Sequence, residues 1–255
     1  MSNILEVRNI NKIVELGKEN EVHILKNVNL DIEKGEFLSV MGPSGSGKST
    51  LLYNVSGMDK ITSGSVKFKD REIGELKEEK LAKIRLDHMG FIFQDINLLK
   101  NLSVIDNIMF PALVSKDADK NAVSQKAKQL LKMTGIEKLA DNNINQASGG
   151  QLQRVGICRS LIKDPDILFG DEPTGALDSK SAAEIMAIFA EINKKGVTIM
   201  LVTHDVKVAA KTERILFMVD GKIIAQKKLG KYDGYHDDIK KREESIMKWL
   251  VENGF

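Results

Sequence analysis

The chain has 255 residues, of which 42% are hydrophobic and 29% charged, with a formal net charge of +2 and a single cysteine. That length suits one large α/β domain or a core carrying a small inserted subdomain, and the composition excludes global disorder. A charge so near zero, with lysines interleaved among acids, excludes nucleic acid as the default partner, and the lone Cys158 excludes a disulfide framework. No apolar run is long enough to span a membrane, and the stretch from Met1 to Lys12 lacks the apolar core of a secretion signal. A cytoplasmic setting is expected.

In chain order, residues Ile4 to Ile10 and Ile24 to Ile32 alternate apolar and polar positions as strands do. A turn at Glu33-Lys34-Gly35-Glu36 leads into the apolar strand Phe37 to Met41. Next come Gly42-Pro43-Ser44-Gly45-Ser46-Gly47-Lys48-Ser49-Thr50 and a helix beginning near Lys48. Ser65 to Phe68 reads as a short edge strand, Glu75 to Arg85 as a charged helix, and Met89 to Phe93 as a strand that stops at Gln94. From there to about Asn145 the pattern is helical, with Val123, Ala127, Leu130 and Leu131 at helical spacing. This stretch is expected to be an inserted subdomain.

The second half returns to strand and helix. Asp166 to Gly170 and Val197 to Val202 are continuous apolar runs suited to a parallel sheet covered on both faces, joined by an amphipathic helix over Ala182 to Lys194. Ile215 to Val219 turns at Asp220-Gly221 into Lys222 to Ala225, a hairpin signal. In the tail from Gly230, Ile239, Ile246, Met247 and Leu250 recur at helical spacing, with Trp249 and Phe255 close to the end, which predicts a terminal helix docked on its own domain or, as the alternative, one offered to a partner.

The chemistry starts at residues 42–50, which fit the phosphate-binding pattern G-x-x-x-x-G-K-[ST] between a strand and a helix. Glycines let the loop curl so that backbone N–H groups face phosphate oxygens, and the helix adds its positive end. Lys48 is placed to reach the β- and γ-phosphates, and the Ser49 hydroxyl to complete the coordination of a magnesium ion. A long apolar strand delivers Asp171 and Glu172 to its carboxyl end, Asp171 to hold the metal through water and Glu172 to face the attacking water. Gln94 follows another strand and can serve the metal or that water. His204, just past a parallel strand, can donate to the γ-phosphate. His23, His88 and His236 have no such placement. Ser148 begins a further helix after Ala147 and before Gly149-Gly150-Gln151, a second anion site. Two anion sites on one chain make sense if each nucleotide lies between the glycine loop of one subunit and Ser148-Gly149-Gly150 of another, head to tail.

Together these residues resemble the nucleotide-binding subunit of ATP-binding cassette (ABC) transporters, over about Ile4 to Lys228. By that resemblance, residues 42–50 correspond to the Walker A loop, Gln94 to the Q-loop glutamine and Ser148 to Gln151 to the signature. Asp171 and Glu172 match the Walker B aspartate and catalytic glutamate, Gly175-Ala176-Leu177-Asp178 the D-loop, and His204 the switch histidine. The text from Gly90 to Gln94, with Asn97-Leu98-Leu99 and Leu102-Ser103-Val104, is similar to the branch of macrolide exporters, lipoprotein-release complexes and antimicrobial-peptide resistance transporters. The resemblance implies an α/β P-loop NTPase core with a mixed sheet, an antiparallel β edge and an inserted helical subdomain. The core is expected over 1–94 and 160–229, the insert over 95–159 and the tail over 230–255. It further implies an ATPase that uses ATP and Mg2+, pairs with a second copy, and is held at the inner membrane face by a separate integral-membrane permease. The coupling surface is expected around Gln94 to Val104.

Two features depart from the family pattern. The aromatic ring that usually stacks on adenine is missing at Lys12-Ile13-Val14. The signature begins Gln146-Ala147, and Gly156 and Cys158 replace common alanines, which reads as packing variation. The rival readings are a soluble cassette or a nucleotide switch without transport. Intact Glu172 and His204 favour turnover over the switch.

Overall fold

In the computed structural model, which describes residues 2–15, 17, 21–115, 118–232 and 236–254, the apolar runs of the sequence meet in one sheet. Five strands of that sheet are parallel: β3 (Phe37–Met41), β6 (Met89–Phe93), β7 (Ile167–Asp171), β8 (Thr198–Val202) and β9 (Arg214–Val219). β10 (Lys222–Lys228) closes the edge as the antiparallel partner of β9, giving the order β10-β9-β3-β8-β7-β6. The expected hairpin at Asp220-Gly221 is this pair. β3, β7 and β8 are buried almost throughout, which explains why they read as unbroken apolar runs rather than alternating ones.

The other early strands form a sheet of their own. β1 (Asn3–Glu15), β2 (Glu21–Glu33), β4 (Ser63–Phe68) and the two-residue β5 (Arg71–Glu72) pair antiparallel in the order β2-β1-β4-β5. β4, expected at an edge, therefore lies between β1 and β5. Leu5, Val7, Ile10, Leu25 and Val66 of this sheet share a core with Leu38, Val40, Phe169 and Val202 of the larger one. That core also takes Leu51 and Leu52 from α1 (Lys48–Val55) and Leu81 and Ile84 from α2 (Glu78–His88).

On the opposite face of the large sheet, Phe37, Leu168, Ile199 and Leu201 pack against Ile157 and Leu161 of α5 (Gly149–Leu161). Ile185, Met186, Phe189 and Ile192 of α6 (Ser179–Lys194) complete that layer. α3 (Val104–Leu113) and α4 (Lys120–Met133) build a separate cluster around Val104, Ile108, Ala127 and Leu131. α5 belongs to both clusters, turning Val155 and Cys158 toward α3 and α4 and Ile157 toward the sheet. Burial pushes the Cys158 thiol up to about 12, so it stays a neutral packing group.

After the short α7 (Val206–Ala209), the tail forms α8 (His236–Glu252), docked through Ile239, Ile246 and Leu250 on Met41, Ala209, Ile215 and Phe217. Trp249 meets Phe217 edge-on at 5.9 Å. Met247 instead faces outward, 49% exposed, one position off the buried stripe. Phe255 lies outside the described residues. Arg242 anchors the helix by donating to the carbonyls of Ala210, Thr212, Leu229 and Gly230 at 2.7–3.0 Å.

Candidate active site

Register places the chemistry. Phe93 pairs with Asp171, Asp171 with Val202, and Val202 with Val40, so four neighbouring strands end on one level. Gln94, Glu172, His204 and the glycine loop all emerge from that carboxyl edge, where open α/β sheets bind ligands.

Only a glycine fits where the loop leaves β3. Gly42 has φ +153, and a Cβ there would come within 2.0 Å of the Met218 carbonyl oxygen. The loop is pinned from β10's side by the Gly221 N–H donating to the Ser46 carbonyl at 3.0 Å. Its helix, α1, starts at Gly47 with no side-chain cap, which leaves the first-turn N–H groups to a ligand. A cavity of about 620 Å3 opens over Gly42, Pro43, Ser44, Gly45, Gly47, Lys48, Ser49 and Thr50, and is closed by Ile24, Glu172 and His204. Ser46 turns inward instead, and its hydroxyl is buried without a partner among the described residues. The Lys48 ammonium donates to the Gly42 and Pro43 carbonyls at 2.9 and 2.8 Å. Burial lowers its pKa, partly offset by Glu172 and Asp171. A phosphate in the cavity offers that half-desolvated cation a stronger acceptor than two neutral carbonyls.

Glu172 sits in the left-handed region at φ +45, a conformation a non-glycine residue keeps only where its surroundings hold it. Its N–H donates to the Val202 carbonyl at 3.0 Å. One of its carboxylate oxygens lies 3.1 Å from His204 Nδ1. Asp171 is tied to the loop helix: the Ser49 hydroxyl donates to Oδ1 at 2.9 Å and the Tyr53 phenol to Oδ2 at 2.7 Å. Burial, with Asp171 beside it, pushes Tyr53 up to about 12.

These donors suit Mg2+, which takes oxygen ligands, keeps several waters and is held by one or two carboxylates plus substrate phosphates. The Ser49 hydroxyl and the Asp171 carboxylate meet beside the loop. Among the described residues no cluster of three His, Cys, Asp or Glu side chains could hold a metal alone.

The remaining site residues lie elsewhere. Gln94 is exposed and does not line the cavity, but it borders the corner behind Glu172: its amide carbon is 3.5 Å from where a Cβ on Gly175 would sit. Asp178 caps α6, accepting from the N–H groups of Lys180 and Ser181 and from the Ser181 hydroxyl, which holds its carboxyl below the usual range. Ser148 caps α5 in a capping box, its N–H donating to Gln151 Oε1 at 2.8 Å. Neither Ser148, Gly149, Gly150 nor Gln151 lines the glycine-loop cavity of its own chain. Gly149 and Gly150 instead face the segment Leu177–Ser181.

Sequence reasoning missed three residues that connect these parts. Gln153 donates to the Phe93 carbonyl at 3.3 Å, and Arg159 to the Ile96 and Asn97 carbonyls at 2.8 Å, so α5 holds the chain on both sides of Gln94. Tyr53 is the third. Gly156, read as packing variation, is the close-approach point of α5 to that segment: a Cβ there would lie 3.0 Å from Ile96.

Known proteins are similar to this chain. A family model described as ABC transporter matches residues 25–175. The bacitracin export ATP-binding protein BceA of Halalkalibacterium halodurans is 45% identical over 224 residues, covering 88% of each chain. The macrolide export ATP-binding/permease protein MacB of Aggregatibacter actinomycetemcomitans is 43% identical over 223 residues, which span 88% of this chain and 34% of that protein. Among solved structures, the dimeric post-hydrolysis state of the ATP-binding cassette MJ0796 bound to ADP and Pi matches with a TM-score of 0.83 at 40% identity, covering 89% of this chain and 100% of that one.

Proposed function

We propose that this chain, which belongs to the ABC transporter family, is an ATPase whose two copies close head to tail around two Mg-ATP and thereby drive a separate integral-membrane permease. The observation that carries the reading is the grouping of Lys48, Glu172 and His204 around one cavity whose own chain leaves Ser148 to Gln151 outside it. This supports a site that is completed by the first turn of α5 from a second copy.

In this reading, backbone N–H groups of residues 42–50 and the Lys48 ammonium hold the β- and γ-phosphates. Ser49 and Asp171 would hold the magnesium ion, with Gln94 at the same sheet edge as a further candidate ligand; when bound, the metal would spread the charge that develops on the phosphate oxygens. Glu172 takes the proton of the attacking water, and His204, held against it, orients that water and donates to the γ-phosphate. The first turn of α5 in the opposing copy, from Ser148, completes the charge stabilisation, and Asp178 stands at the same junction. The core over 1–94 and 160–229 supplies the loop and carboxylates. The insert over 95–159 supplies Ser148 and, between Gln94 and Val104, the surface that meets the permease.

None of the described helices is long and apolar enough to cross a membrane. The names of relatives that export bacitracin and macrolides favour a peptide or antibiotic cargo over a released lipoprotein. The test is Ser148→Arg. A bulky cation at the closing surface should abolish turnover and pairing while ATP binding to the single subunit persists; loss of that binding would place Ser148 in its own chain's site and end the head-to-tail reading.

A further inference from the structure

Ser49 and Tyr53 stand one helical turn apart on α1, and both hydroxyls reach the same carboxylate. Residues four apart share a helix face, so the helix that begins at the glycine loop presents two donors in a row to the end of β7. Asp171 is 118 residues from Tyr53 in the chain and meets it only through the fold. The two donors divide the carboxylate: Ser49 takes Oδ1 and Tyr53 takes Oδ2 at 2.7 Å, a charge-assisted geometry. The phenol does not swing freely, because its ring packs against Phe93 at 6.5 Å, and Phe93 in turn stacks on Phe91, which stacks on Phe169 of β7 itself. Ring and carboxylate thus rest on adjacent strands of one rigid sheet.

We propose that Tyr53 is a positioning residue of the metal site: its phenol fixes the orientation of the Asp171 carboxylate, so that the oxygen beside Ser49 is the one offered to the divalent cation. This rests on the reading that Ser49 and Asp171 hold that cation. A carboxylate without such a clamp can rotate about its last bond, and the metal must then order it on binding. Hydrogen-bond partners that orient metal ligands typically account for about 10- to 100-fold in metal affinity.

The experiment uses the full chain and Tyr53→Phe, which keeps the ring on Phe93 and removes only the hydroxyl. ADP binding is measured in chelator, without metal, and Mn2+ is then titrated into the ADP-loaded protein with free Mn2+ read by its spin-resonance signal. Tyr53→Phe should bind Mn2+ about 10-fold more weakly while ADP binding without metal stays within about twofold of wild type, a difference of about 0.4 kcal/mol. In an Asp171→Asn background the same change should add nothing further. Equal Mn2+ affinity in Tyr53→Phe and wild type, with Asp171→Asn weakened, overturns the role of Tyr53 alone. Parallel loss of metal-free ADP binding and of melting temperature overturns it too, since that marks a packing residue. Unchanged Mn2+ binding in Asp171→Asn itself overturns the underlying assignment of the metal to Asp171.

Discussion

His204 Nδ1 and Glu172 Oε1 lie 3.1 Å apart at the ends of two adjacent parallel strands, although 32 residues separate them in the chain. Glu172 reaches this point at φ +45, with its N–H on Val202, so its backbone geometry and its ring partner are set by the same strand end. A pair built this way is expected to act as a unit. His204→Ala should lower the rate of phosphate release by about 10²-fold, within the range for a positioned proton-transfer group. In a Glu172→Gln background it should add less than about twofold, because groups that act together are not additive. Steady-state phosphate release across the four combinations measures this, and independent, multiplying effects would contradict the pairing.

The missing adenine ring has a structural counterpart. Val14 pairs directly with Val22 on the β1–β2 hairpin, Val22 is 43% exposed, and Ile24 just beyond it lines the glycine-loop cavity. Lys12 fixes this hairpin to the turn after the loop helix through Asp59 at 2.9 Å. An aliphatic surface gives the base contact area without ring stacking, which is worth roughly 1–3 kcal/mol per base in single-strand nucleic-acid sites. GTP should therefore compete with ATP within about threefold, and Val14→Tyr should tighten ATP by about 5- to 10-fold. Competition binding with both nucleotides reads this out, and an unchanged ATP-to-GTP preference in Val14→Tyr would remove Val14 from the base site.

Arg242 predicts a stability effect rather than a catalytic one. It is 7% exposed and serves four carbonyls from two segments, the turn after α7 and the end of β10. Arg242→Ala removes the guanidinium from all four carbonyls and should cost about 3 kcal/mol. Arg242→Lys should recover less than about half of that, since an ammonium cannot span the fork that a guanidinium covers. Urea denaturation of the full chain gives both values. A loss below about 0.5 kcal/mol, the range of ordinary surface changes, would mean that α8 is held by its apolar face alone.

How much of this was legible in the sequence depended on whether a feature was local. Residues 42–50 and the strands Phe37–Met41 and Met89–Phe93 could be read directly, since a glycine loop between an apolar run and a helix carries its own signal. Asp171, Glu172 and His204 were legible because each follows a strand buried on both faces. Strand partners were not: β1 and β4 alternate in the same way whether they edge the large sheet or form a second one, and only pairing decides. Tyr53 carried no signal, because its role depends on a carboxylate 118 residues away. Gly156 reads as neutral variation in the sequence because its close approach to Ile96 exists only in the fold. Met247 shared the helical spacing of its neighbours, yet one residue of rotation from Ile246 put it on the outer face.

The central claim, that one chain holds an incomplete site and two copies complete it, is tested most directly by sedimentation of Glu172→Gln with and without ATP. The amide is nearly isosteric with the carboxylate but cannot take the proton of the attacking water, so ATP binds and is not consumed. The protein should sediment as a monomer without nucleotide and as a dimer retaining two ATP with it, while phosphate release nearly disappears. A Glu172→Gln chain that stays monomeric at saturating ATP, alongside a wild type that hydrolyses ATP normally, would contradict the composite site.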